Sequence, residues 1–182
     1  MEFYDTLRAQ NVTRWHIVNL GGRNQTLADH TFGVMVIALE LAKRINHVFM
    51  DWDKFRGRLL EYCLFHDIHE VVEGDIPTPT KRRYGIEECD NDAPPFVIAI
   101  AAVADRLEAL FTLHDNATGV HAKQVLNKFG DETMEFLRTA HRNEGVFRDL
   151  GYSAGEIARC AAEMTSEYLS AKRTIQWPEK TD

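Results

Sequence analysis

Cysteine is rare in this chain: Cys63, Cys89 and Cys160 are the only three in 182 residues, widely spaced and without a CxxC pair. So few, in odd number, exclude a disulfide framework. They suit a reducing compartment in which cysteine serves as a small apolar residue. Proline is also scarce, with five residues, and Pro77 and Pro79 stand close enough together to defeat a helix there. Basic side chains are outnumbered, 21 Lys and Arg against 28 Asp and Glu, for a formal net charge of -7. That balance argues against duplex nucleic acid as a partner, since such binding relies on phosphate neutralisation. A small anionic substrate needs only a local basic cluster and stays open. No apolar run is long enough to span a bilayer, and Met1–Asp5 shows no basic or apolar leader pattern. The expectation is a cytoplasmic protein with no membrane partner.

What is present is helical periodicity. Hydrophobic residues make up 45% and charged residues 27%, ordinary for one soluble globular domain. Residues 3–10 read as a short helix, and Gly21–Asn24 as a loop. Leu27 to about Val48 carries a broad apolar helical face. Asp53 is the expected N-cap of a helix reaching about Val72. Gly74–Thr80 is expected to be loop, followed by polar loop at Lys81–Gly85 and at Glu87–Asp92. Pro94-Pro95 opens a helix through Phe96–Asp105 that is apolar all round, so it is expected to be central and buried. Further helices are expected near 119–128, 132–143 and 154–172, the last with a capping-box spacing at Ser153 and Glu156. The tail 177–182 is expected to fray. The fold class is all-α, a single domain of about six or seven helices.

The chemistry centres on His66-Asp67, at the end of an apolar helix. A buried carboxylate beside an imidazole costs several kcal/mol unless a cation or hydrogen bonds compensate it. Taken alone, the pair reads as a core histidine satisfied by its neighbour. His30 near the start of the first long helix and Asp105 in the buried one change that reading. Three helices each offer metal-type ligands to one core, as helical bundles commonly do. Two imidazoles and two carboxylates balance the charge of a divalent ion and leave positions for water.

The order His…His-Asp…Asp resembles the HD-domain metal phosphohydrolases. The similarity extends over residues 10–113. It is carried by Arg14-Trp15, Ala28-Asp29-His30-Thr31, Phe65-His66-Asp67-Ile68-His69-Glu70-Val71, Gly74-Asp75-Ile76-Pro77-Thr78-Pro79-Thr80-Lys81 and Ala104-Asp105-Arg106-Leu107-Glu108-Ala109. These stretches resemble the 5′-deoxynucleotidase branch and the compact phage dATP triphosphohydrolases related to it. The resemblance implies an HD-type helical bundle completed by C-terminal helices, a divalent cofactor (zinc foremost, cobalt or manganese next), a deoxynucleotide substrate and a homo-oligomer. It implies His30, His66, Asp67 and Asp105 as metal ligands, and Asp75 as an acid assisting the leaving O5′.

Glu70 lies one helical turn from His66, a place from which it could hold or deprotonate the attacking water. By itself it would read as a solvated helix-end acid. Arg14 and Lys81 are candidates to bind phosphate, Arg14 through its bidentate fork. Trp15, Ile17 and Pro79 are implied to line the base pocket, with Ile17 crowding a purine 2-amino group and so favouring adenine. His16, His69, His114, His121 and His141 read as structural or surface. Lys81-Arg82-Arg83 supplies more positive charge than one phosphate requires, so the reading leans to dATP, released as deoxyadenosine and triphosphate. The alternatives are a monophosphate-specific 5′-deoxynucleotidase and an all-α interaction module with a vestigial metal site.

Overall fold

In a computed structural model the chain is described over residues 3–22, 24–45, 51–86 and 92–170. Its helices are α1 (Phe3–Thr6), α2 (Leu27–Arg44), α3 (Trp52–Phe65), α4 (Glu70–Glu73), α5 (Thr78–Tyr84), α6 (Pro95–Asn116), α7 (Gly119–His141) and α8 (Tyr152–Ser170). Short 3₁₀ turns cover Leu7–Asn11 and Gly145–Phe147. The described residues contain no strand, only isolated bridges between Thr13 and Thr26 and between Leu20 and Ala117. None of the helices is long and apolar enough to cross a membrane.

The apolar α6 is the axis of the bundle. Ile100, Val103, Ala104 and Leu107 are all buried, and α2, α3, α7 and α8 pack against it. Each fully buried aliphatic side chain of this kind stabilises the fold by about 1.5–3 kcal/mol. On α2 the buried stripe runs Leu27, Val34, Ala38 and Leu41, the spacing of one helical face. His30 lies next to that stripe and is fully buried. The first turn of α2 is fixed by a capping box. The Asp29 N–H donates to Thr26 Oγ1 (3.1 Å), and the Thr26 N–H donates to Asp29 Oδ2 (3.0 Å). That box fixes the start of the helix immediately before His30.

Several sequence expectations need correction. Helix α2 ends at Arg44 with Ile45 as its C-cap, and positions 46–48 of its expected span fall outside the described residues. Asp51, not Asp53, caps α3, accepting from the Lys54 N–H at 3.1 Å. That helix stops at Phe65 rather than Val72. Beyond it the amides of Ile68, Glu70 and Val71 donate to carbonyls three residues back, at 3.2, 3.0 and 3.1 Å. This tighter winding brings residues three apart onto one face, so Glu70 lines up with Asp67 rather than with His66.

Residues 78–84 form α5 instead of a loop, because Pro79 falls in the first turn, where no amide is needed. Helix α7 runs unbroken through Gly130, where two helices were expected. Helix α8 begins at Tyr152, one residue before the expected cap Ser153, and Glu156 bonds to the Tyr152 hydroxyl and Arg159. The stretch 87–91 and the tail 177–182 lie outside the described residues.

Candidate active site

Four side chains converge where α2, α6 and the turn after α3 meet. One ligand-type atom from each of His30, His66, Asp67 and Asp105 lies within 4.8 Å of the others. His30 Nε2 is 3.1 Å from Asp105 Oδ1 and 3.5 Å from Asp67 Oδ2. His66 Nε2 is 3.3 Å from the same Asp67 oxygen. Asp105, with its side chain 39% accessible, is the open side of the cluster. Arg14 closes another side, its guanidinium 3.2 Å from Asp67 Oδ2.

The two imidazoles are oriented from behind. His66 Nδ1–H donates to the Cys63 carbonyl at 2.7 Å, and His30 Nδ1–H donates to Glu108 Oε2 at 2.5 Å. These partners assign the tautomers, leaving each Nε2 lone pair aimed at the cluster. Both Nε2 atoms are buried and make no hydrogen bond. Two lone pairs facing two carboxylates repel unless protons or a cation lie between them. The donor set, two neutral imidazoles and two carboxylates, fits a divalent ion in charge and in ligand type.

Without an ion the site binds protons instead. For His30, burial and the Arg14 charge oppose protonation, but Asp105, Asp67 and Glu108 outweigh them and lift it to about 10. For Asp67, burial is overcome by His30, His66 and Arg14, which hold it well below the usual carboxylate range. Arg14 is raised above its ordinary value: burial opposes its charge, but four surrounding carboxylates favour it.

The other sequence candidates divide into two groups. Glu70 is buried, with one oxygen 3.4 Å from Lys81 Nζ and the other without a partner. Burial first, then the charges of Asp67 and Asp75, push its carboxyl up to about 7 against the pull of Arg14 and Lys81. Asp75 accepts the Trp15 backbone N–H at 3.3 Å, and His16, read from sequence as structural or surface, stands 4.0 Å from it. Trp15 is half-buried in the left-handed region, with φ of 65°. Ile17 is 59% exposed, and Pro79 is exposed on α5. Neither joins the hydrogen-bonded cluster. Arg82 and Arg83 are exposed, with Arg83 above the Tyr84 ring.

Sequence reasoning missed Glu108 and Gln25. Glu108 lies one turn beyond Asp105 on α6, and Gln25 Nε2 donates to its other oxygen at 2.6 Å. A carboxylate flanked by Leu107 and Ala109, one turn beyond Asp105, was the available signal.

Comparisons with known proteins place this geometry. Residues 2–92 match the 5′-deoxynucleotidase YfbR-like family. A dATP triphosphohydrolase of Salmonella phage PMBT28 is 31% identical, with 92% of this chain and 95% of the relative covered. A dATP triphosphohydrolase of Acinetobacter phage SH-Ab 15497 is 30% identical over 79% of this chain and 83% of the relative. Among solved structures, the fold is shared with the cyanophage S-2L HD phosphohydrolase DatZ, whose structure holds dA and one catalytic Zn2+ ion. The TM-score is 0.71 at 23% identity, over 92% of this chain and 95% of that one. With half its length matching the family and nearly all of it aligned to a relative above 30% identity, the chain belongs to the YfbR-like 5′-deoxynucleotidase family of HD-domain metal-dependent phosphohydrolases.

Proposed function

We propose that the chain is a dATP triphosphohydrolase, with water adding at the α-phosphorus and the bond to O5′ breaking to release deoxyadenosine and triphosphate. The observation that carries the metal site is the pair of buried, partnerless Nε2 atoms facing Asp67 and Asp105. The substrate is supported by the two phage relatives, both dATP triphosphohydrolases. His30, His66, Asp67 and Asp105 would hold one divalent ion, zinc foremost, since a neighbour of the same fold holds zinc. When bound, such an ion supplies Lewis-acid polarisation of a phosphoryl oxygen and acidifies water.

The remaining roles belong to side chains. Glu70, buried and with its carboxyl pushed up to about 7, holds and deprotonates the attacking water at its free oxygen. Asp75 passes a proton toward O5′. Arg14, already among carboxylates, turns its fork to the phosphate once charge is neutralised there. Lys81 swings from Glu70 toward the outer phosphates. Trp15 offers a face to the base, with Ile17 and Pro79 at the pocket rim. The chain acts as one HD-type domain, with α7 and α8 completing the bundle. We further propose a cytoplasmic homo-oligomer without nucleic-acid or membrane partners. Exposed Phe32 and Val36 along a groove of about 580 Å³ between α2, α6 and α8 support self-association.

A panel of nucleoside mono-, di- and triphosphates with product identification tests the reading. Deoxyadenosine and triphosphate from dATP are expected. The family match favours a second reading, hydrolysis of deoxynucleoside monophosphates. Turnover of dAMP with none of dATP would establish it.

A further inference from the structure

Behind the metal-type cluster a continuous chain of hydrogen bonds runs from Trp15, the neighbour of Arg14, to His30. The Trp15 indole N–H donates to Gln25 Oε1 at 2.9 Å. The Gln25 amide donates to Glu108 Oε1 at 2.6 Å and to Thr112 Oγ1 at 3.1 Å. The Thr112 hydroxyl donates to the same Glu108 oxygen at 2.9 Å. The other Glu108 oxygen accepts from His30 Nδ1–H at 2.5 Å.

Every donor direction in this chain is forced. An indole nitrogen only donates, so Gln25 must present its carbonyl to Trp15 and its amide to Glu108. A carboxylate only accepts, so Glu108 takes three donors and holds His30 in the tautomer whose Nε2 faces the cluster. The fold makes room for this at one point. A β-carbon at position 33 of α2 would lie 2.7 Å from Glu108 Cγ, and the residue there is Gly33. Glu108 itself is 7% exposed, so its charge depends on these donors.

We infer that Gln25 and Glu108 are positioning residues that tie the base-side indole of Trp15 to the metal-side imidazole of His30. The inference rests on the proposed roles of those two end residues. Its content is that a change at Gln25, which touches neither ion nor phosphate in that scheme, alters metal affinity and nucleoside recognition together. A purely packing role for Gln25 would lower stability without moving either.

The forced directions permit a rescue. In the double variant Gln25→Glu with Glu108→Gln, the indole N–H still meets an acceptor. The amide introduced at position 108 donates to the carboxylate introduced at position 25, and the carbonyl of that same amide still accepts from His30 Nδ1–H. The hydrogen bonds are re-formed with the Thr112 hydroxyl reversed, accepting from the amide at 108 and donating to the carboxylate at 25, and the charge is moved one residue outward.

The experiment measures zinc affinity by competition with a chromophoric chelator, alongside kcat and KM for dATP. The proteins are wild type, Gln25→Met, Glu108→Gln and the double variant, each first checked for helicity. Glu108→Gln is expected to weaken zinc binding about 10–100-fold, the usual effect of losing a metal ligand's outer partner. Gln25→Met is expected to weaken it several-fold and to raise KM more than it lowers kcat. The double variant is expected to bind zinc more tightly than Glu108→Gln alone. Unchanged zinc affinity and KM in Gln25→Met would overturn the inference, as would a double variant no better than the single one. Should Glu108→Gln not fold, Gln25→Met decides alone. A wild type that binds no zinc overturns the underlying metal-site reading instead, a result distinct from the others.

Discussion

A β-carbon at Gly33 would overlap Glu108, at 2.7 Å from its Cγ and 3.1 Å from its Oε1. Glycine inside a helix ordinarily costs about 0.5–1 kcal/mol relative to alanine. Gly33→Ala would therefore raise the melting temperature if Glu108 could yield. Held by three donors, it cannot do so without losing bonds. Gly33→Ala is expected to lower the melting temperature and weaken zinc binding together. A more stable variant with unchanged zinc affinity would show that Glu108 is not held in place.

His66→Ala removes one of the two imidazoles aimed at the cluster while His30 stays. Bound metal and hydrolysis are expected to disappear together. Elemental analysis of the purified variant beside an activity assay checks this, and stoichiometric metal with full turnover would remove His66 from the ligand set.

Glu70→Gln keeps the shape of a buried side chain but cannot take a proton. Metal content is expected to stay while turnover falls roughly 10²-fold or more, as for other lost general acid–base groups. Full turnover in the variant would return Glu70 to a structural role beside Lys81.

Metal binding should depend on pH through His30. In the ion-free fold this residue is lifted to about 10, well above its ordinary 6.5. A raised folded value means that the proton stabilises the ion-free fold fully below about pH 6.5, and that this contribution is lost as pH rises through about 10. An ion requires the neutral imidazole and must displace that proton. The rise in melting temperature on adding zinc is therefore expected to grow from about pH 6.5 to about 8.5. Differential scanning calorimetry with and without zinc reads it directly, and a gain that shrinks over this interval would contradict the assignment.

Phosphate length is the remaining test. Lys81 lies 3.4 Å from Glu70, beside the site. A sheltered bond between ionised partners contributes about 1.5–3 kcal/mol. One such bond to the outer phosphates shifts preference between dATP and dAMP by one to two powers of ten, roughly. Lys81→Ala is expected to weaken dATP hydrolysis more than dAMP hydrolysis, with kcat/KM for both substrates as the measurement. Equal losses would place Lys81 on the α-phosphate or on Glu70 alone.

The sequence carried the helices with strong periodicity and little else of comparable precision. The apolar run of α6 announced a buried axis, and the Leu27–Leu41 stripe announced α2. Helix α5 was hidden because Pro79 reads as a breaker unless its place in the first turn is known. The 3₁₀ winding after Phe65 was hidden because propensity does not distinguish hydrogen bonds three residues back from four. His30, His66, Asp67 and Asp105 stood out because ligand-type residues on apolar faces are conspicuous. Gln25 did not, because its partner Glu108 is 83 positions away and pairing at that distance leaves no local pattern.

The four convergent side chains come from three segments distant in sequence: α2, the turn after α3, and α6. An ion held by all of them would cross-link the chain from His30 to Asp105. A covalent staple constrains even the unfolded chain, whereas an ion lets go on unfolding and acts through mass action instead. For this fold a chelator would thus play the part that a reductant plays for a disulfide-stapled domain. The free zinc level around the protein would then set how long it survives a protease.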